Sequence, residues 1–235
     1  MSHLTSLAVI FFIYMMSGSS QTSVAGPTQA LNNLVLPVSG APVRLEILEQ
    51  ETRRDPSHEI ARTNRNTVVY RDGFGRIRIE SKTDLESPTV ISDPVAKFTA
   101  ILLVQLKMAY RMKGAVHQGS TIHAMDNPLV AIQGSKSFEK ASLGNKVIEG
   151  IQFEGVRLTT TLVDDPSVKA TQEIWTSSSL GLIGSVKFWS STGIEITTQI
   201  FNVDLQAKID PSFFVVPRDF KIQDMTAADT GSQPQ

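Results

Sequence analysis

Residues 93–113 read DPVAKFTAILLVQLKMAYRMK, and the period of this stretch decides the fold class. From Ala96 to Met112 every even position is apolar, with Phe98, Ala100, Leu102, Val104, Leu106, Met108 and Tyr110 between them. The odd positions are polar at both ends (Lys97, Thr99; Arg111, Lys113) and apolar only in the middle. Alternation of this kind marks a strand with one face in a core. A helix has one argument: Asp93 as N-cap, Pro94 as first helical residue and Gly114 as C-cap. On a helix, however, the polar side chains scatter around the whole circumference and leave no dry stripe. The β reading is the stronger. A straight strand over Ala96–Met112 would span about 56 Å at ~3.3 Å per residue, far beyond ordinary strands. The stretch must bend strongly or fold back as a hairpin near 103–106, where both parities are apolar. A reversal would leave a greasy tip, Leu102–Leu106, able to touch a membrane surface or an envelope protein. A helix would instead plug the open side of a barrel.

Outward from this stretch the same period recurs. Thr67–Arg71 and Arg76–Glu80 alternate on either side of Asp72-Gly73-Phe74-Gly75, and Asp-Gly between alternating arms is a strong hairpin cue. A loop with an even number of residues pairs Tyr70 with Ile77 and Val68 with Ile79, or Val68 with Ile77, and gathers the apolar residues on one face. Arg71, Arg76, Arg78 and Glu80 would then form a solvated face. Further strands are expected at 43–47, 89–91, 147–163, 168–175, 180–189 and 193–203, separated by turn residues such as Asp164-Asp165-Pro166-Ser167. Asp210-Pro211-Ser212 precedes Phe213-Phe214-Val215-Val216, a short apolar anchor. Residues 114–145, rich in Gly and short of apolar runs, read as a loose excursion with one short helix at most. About ten strands in succession, with no βαβ alternation, phosphate loop or repeat, imply an antiparallel meander.

The 235 residues allow one large or two small domains, with 41% hydrophobic and 19% charged residues. A net charge of −1, with basic residues interleaved among acids, argues against a nucleic-acid partner. The first 25 residues contain no Asp, Glu, Lys or Arg, and the apolar run LAVIFFIYMM is followed by small residues and Ser23-Val24-Ala25 before Gly26. This is the order of an export signal cleaved between Ala25 and Gly26. It places the mature chain in the periplasm or outside the cell; the alternative is an anchor left uncleaved. The run is too short to span a membrane. Cysteine is absent, which excludes a lipid-anchored lipoprotein, disulfides and thiolate metal sites. The division expected is signal 1–25, linker 26–41, one antiparallel β domain over 42–224 and a disordered polar tail over 225–235.

The motifs Tyr70-Arg71-Asp72-Gly73-Phe74-Gly75-Arg76, Asp93-Pro94-Val95-Ala96, Ala109-Tyr110-Arg111-Met112, Leu143-Gly144 with Ile148-Glu149-Gly150, Glu173-Ile174-Trp175 and Asp210-Pro211-Ser212-Phe213-Phe214 occur in a fixed order. Over about residues 43–222 the sequence resembles a group of uncharacterised bacterial secreted proteins. More remotely it is similar to the periplasmic lipoprotein-carrier (LolA-like) half-barrel proteins. That resemblance implies a mainly β fold: a curved antiparallel sheet or incomplete β-barrel, with one or two short helices covering a concave apolar face. The chain departs from the pattern at Leu103-Val104-Gln105-Leu106, where a polar Asp-Pro turn belongs, and at Thr176-Ser177-Ser178-Ser179, which lacks a proline.

No group of residues carries a convincing chemistry. His117 and His123, with Asp126 nearby, have no third and fourth ligand fixed by spacing. Ser137-Phe138-Glu139-Lys140 matches S-x-x-K, but that nucleophile needs a buried helix in a larger mixed fold. Glu149/Glu154 and Asp164/Asp165 read as turn and surface carboxylates, and Trp175 and Trp189 as strand packing. The expectation is therefore a non-enzymatic exported domain of the cell envelope, with no cofactor and no metal, binding a lipid or an acylated protein. Val68, Tyr70, Ile77, Ile79, Phe98, Leu102, Phe188 and Ile196 are the expected lining of its cavity. The alternative is a structural or protein-interaction module with a filled core.

Overall fold

The computed structural model describes residues 35–54, 60–83, 87–114 and 136–225. Twelve strands form one sheet: β1 (Val43–Arg54), β2 (Ile60–Arg71), β3 (Ile77–Ser81), β4 (Thr89–Asp93), β5 (Phe98–Leu103), β6 (Met108–Lys113), β7 (Lys136–Ile148), β8 (Ile151–Leu162), β9 (Lys169–Ser177), β10 (Leu182–Ser190), β11 (Ile194–Asp204) and β12 (Lys221–Met225). Their order is β12-β6-β5-β4-β3-β2-β1-β11-β10-β9-β8-β7, so two meanders meet where β1 pairs β11. Every pairing is antiparallel except β12, which returns to lie parallel to β6. The sheet does not close: β7 and β12 remain its edges.

Within residues 93–113, Asp93 ends β4, 94–97 form a turn, and Phe98–Lys113 fold back as a hairpin. Thr99 pairs with Met112 and Leu103 with Met108, and Val104–Leu106 form a 3-10 turn that Lys107 ends in the left-handed region. The turn has no Gly or Pro, and its reversal is made by Lys107 at φ 50° instead. Because the pairing runs Leu103 to Met108, the parity inverts across it. Phe98, Ala100 and Leu102 share a face with Ala109 and Arg111, whereas Met108, Tyr110 and Met112 share the opposite one with Ile101. One continuous even-numbered face, as the sequence suggested, does not exist.

The β2–β3 hairpin corrects the sequence reading further. Arg71 pairs with Ile77, Tyr70 with Arg78, Val69 with Ile79 and Val68 with Glu80, so the loop is odd. Asp72 sets it: its Oδ1 accepts from the backbone N–H of Phe74 (2.9 Å) and Arg76 (3.0 Å), and its Oδ2 from Arg76 Nε (2.7 Å). The parity argument assumed one buried face and one wet face. Both are buried here.

The face of Val69, Ile77 and Ile79 also carries Arg71, which is fully buried. Its guanidinium donates to the carbonyls of Ala41 (2.7 Å), Leu36 (2.8 Å), Leu180 (2.7 Å) and Gly181 (3.3 Å). Leu180 and Gly181 sit in the turn before β10, three strands from β2, a lateral separation of about 14 Å in a flat sheet. An arginine cannot reach that far, so the sheet curls and this face is concave. On it, Val43, Leu45, Ile47, Val69, Ile77, Ile174, Val186 and Ile200 belong to one buried cluster. The segment before β1, within the expected linker, closes one end. Val35 is buried and bridges Leu182, and Leu36 N–H bonds Gly181 O at 3.0 Å. Gly184 in β10 lies directly beneath Phe153, where a Cβ would come within 2.6 Å of the ring.

The convex face of β2–β6 is covered by the chain that follows β11. Phe214, on the 3-10 turn Pro211–Phe214 capped by Asp210, is buried against Ile91, Ala100, Leu102 and Ala109, with Tyr70 and Phe98 at the margin. Arg78 Nη1 donates to Phe213 O (2.9 Å), and the Tyr70 and Phe213 rings lie 5.1 Å apart. The "solvated" arginines of the hairpin are thus covered: Arg76 lies 4.9 Å from the Phe214 ring and Arg78 5.6 Å from that of Phe213.

Candidate ligand-binding face

The eight residues expected to line one cavity divide between the two faces. Ile77, Ile79, Phe188 and Ile196 lie on the concave side; Val68, Tyr70, Phe98 and Leu102 lie on the convex side, the last three in or beside the Phe214 cluster. The inverted loop parity accounts for Val68 and Tyr70, since Arg71 rather than Tyr70 turns inward. On the concave side Ile77 and Ile79 belong to the large cluster, and Phe188 and Ile196 are cross-strand neighbours in a smaller one with Ala170 and Ile194.

Between these apolar regions β1 turns acidic while keeping its parity. Glu49 and Glu51 follow Val43, Leu45 and Ile47 on the inward face, opposite Thr198 and Ile196 of β11. Glu49 is 2% exposed. Its Oε1 accepts from Arg65 Nη1 at 2.7 Å, and its buried Oε2 has no partner among the described residues. Burial raises the Glu49 carboxyl above the ordinary carboxylate value although Arg65 opposes the shift. Glu51 bonds Arg53 Nε. Neither acid stood out in the sequence, where the strand was read as alternating only through Ile47. The signal was present nonetheless in two acids continuing an inward apolar parity.

Elsewhere the ionisable groups disperse. Ser137 and Lys140 lie on β7, an exposed edge strand and not a helix, and three positions apart they face opposite sides. Residues 136–145, read as part of the loose excursion, are therefore strand. Glu149 is in the β7–β8 turn at φ 50°, and Asp164 and Asp165 are exposed beyond β8. Trp175 packs over Gly155, under Lys146 Nζ at 4.2 Å from its ring. Among the described residues no group of three His, Cys, Asp or Glu could hold a metal. His58, His117, His123, Asp126, the Ala25–Gly26 cleavage site and the polar tail lie outside the described residues.

No protein-family model and no curated protein matches the chain. Solved structures do. An uncharacterized conserved protein from Thermus thermophilus is 8% identical with a TM-score of 0.46, covering 85% of this chain and 99% of its own. A LolA superfamily protein from Nitrosomonas europaea is 9% identical with a TM-score of 0.33, covering 79% and 94%. A putative outer membrane lipoprotein-sorting protein domain from Vibrio parahaemolyticus is 10% identical with a TM-score of 0.32, covering 82% and 95%. The chain is thus remotely similar to LolA-like structures, and a likeness of this size says nothing of its role.

Proposed function

We propose that the chain is an exported, non-enzymatic domain of the cell envelope that holds a lipid or acyl chain against its concave face. The observation that supports the reading is the buried apolar cluster that runs along the inward face from Ile77 and Ile79 on β3 to Ile174 on β9, on a sheet that stays open between β7 and β12. Concave, mostly apolar surfaces with few polar groups are where apolar ligands bind. The separation of Ser137 from Lys140, and of both from Glu149, Asp164 and Asp165, supports a binding role over hydrolysis. Export rests on the charge-free first 25 residues and the Ala25–Gly26 site. Titration of the purified protein with a fluorescent long-chain fatty acid tests the reading. Saturable enhancement, displaced by unlabelled lipid, is the expected result; a linear, unsaturable response removes it.

A second reading, a module that binds an envelope protein or the membrane surface, draws on the exposed margins. Val104 and Leu106 are 42% and 43% exposed at the β5–β6 tip, and Phe138 and Val147 are exposed on the edge strand β7. Leu102 takes no part in such a contact, because it is buried under the Phe214 segment. Capture of one specific envelope protein, lost on replacing Val104 and Leu106 by serine, would favour it.

A further inference from the structure

On the concave face Arg71 gives its donors to four backbone carbonyls, whereas Glu49 and Glu51 set two carboxylates among the apolar residues. The Glu49 side chain is almost fully buried, one carboxylate oxygen takes a hydrogen bond from Arg65, and the other, Oε2, has no donor among the described residues. A buried acceptor without a donor is costly and calls for a partner, which a water or a ligand hydroxyl would supply. The chemistry of that ligand follows from the charges around it. Glu49 is matched by Arg65 and Glu51 by Arg53, so the group is already neutral in pairs. A carboxylate head would bring a third anion toward Oε2 and offer it no proton; an ammonium head would add an unmatched cation. A hydroxyl supplies the missing donor without adding charge. Beside the acids lie Ile196, opposite Glu51, and Phe188, its neighbour on β10.

We propose that Glu49 is the polar anchor of the concave face, accepting a hydrogen bond at Oε2 from the hydroxyl head of a neutral amphiphile, a long-chain alcohol or acylglycerol, whose chain lies over Ile196 and Phe188. The proposal rests on the reading that this face holds an acyl chain. It is tested on the full chain by competition against a bound fluorescent fatty acid, using hexadecanol, hexadecyl methyl ether and hexadecanoate. Hexadecanol is expected to bind about tenfold more tightly than the ether, in which a methyl group replaces the donor hydrogen, and more tightly than the acid. Glu49→Met abolishes that preference. If this variant does not fold, Glu49→Gln, with a neutral acceptor, reduces the preference to about two- to threefold. Equal binding of alcohol and ether by the unaltered protein, or preference for the acid, overturns the role of Glu49 while leaving the acyl-chain reading intact. Binding of none of the three overturns both.

Discussion

Arg71 ties the concave side of β2 to the far side of the curl, and its replacement by methionine should be among the costliest single changes in the protein. Four carbonyls receive its guanidinium. Those of Leu36 and Gly181 each hold a second, backbone donor, from Val38 and Leu36 respectively. The carbonyls of Ala41 and Leu180 have Arg71 as their described donor. A buried acceptor deprived of its donor costs about 1–3 kcal/mol, so roughly 2–6 kcal/mol is the upper range for these two part-buried carbonyls. Part is returned, because burial without a facing carboxylate disfavours the charged guanidinium and lowers its pKa to about 10. A net loss near ~3 kcal/mol follows, a large share of the ~5–15 kcal/mol typical of a domain. Urea unfolding followed by the fluorescence of Trp175 and Trp189 measures it. Arg71→Lys should fall between the parent and Arg71→Met, since one ammonium cannot serve the four carbonyls in the same geometry. A loss below ~1 kcal/mol in Arg71→Met would refute the reasoning, because the curl would then be held by apolar contact alone.

Phe214→Ala should cost about 3–5 kcal/mol, the usual range for a fully buried aromatic, and the half-exposed Phe213→Ala clearly less; equal melting temperatures for the two would deny the convex-face core. Glu49 titrates above its ordinary value in the folded state because it is buried. An acid whose folded pKa is raised keeps its proton longer when folded, so it destabilises the fold above that pKa, and the cost disappears as pH falls toward the unfolded value. The stability of Glu49→Gln relative to the parent should therefore be more favourable at pH 8 than at pH 4, and a difference independent of pH contradicts the burial. The double replacement Val104→Ser, Leu106→Ser should change stability by less than about 0.5 kcal/mol, as expected of exposed positions. It should nevertheless lower co-sedimentation with anionic lipid vesicles if the tip meets a membrane, and an unchanged bound fraction removes that contact.

The sheet was legible in the sequence because alternation is local: strand length required a strong bend or a reversal between Ala96 and Met112, and the structure makes it a reversal at Val104–Leu106. Which side of each strand faces inward was not legible. The parity of Val68 and Tyr70 depends on whether a loop has an odd or even number of residues, and Asp72, through three side-chain bonds, chose the odd one. An argument from apolar residues alone could not see that Arg71 would be buried against carbonyls contributed by residues 36, 41, 180 and 181, since no local pattern announces partners so distant in the chain. The Phe213-Phe214 anchor was visible as an apolar run after Asp210-Pro211. That it lies on the convex side, giving the sheet two buried faces over β2–β6, follows only from its contacts with Ile91 and Leu102. Glu49 belongs to the same lesson: inward parity persisted past Ile47 while the chemistry changed.

The most direct test of the acyl-chain reading is native mass spectrometry, with organic extraction, of the full chain purified from an exporting host without detergent. The account predicts a bound species heavier than the polypeptide by the mass of an amphiphile, released into the organic phase and enriched in neutral, hydroxyl-bearing lipids. Recovery of the bare polypeptide alone, from a preparation that also fails to take up fluorescent fatty acid, would contradict it.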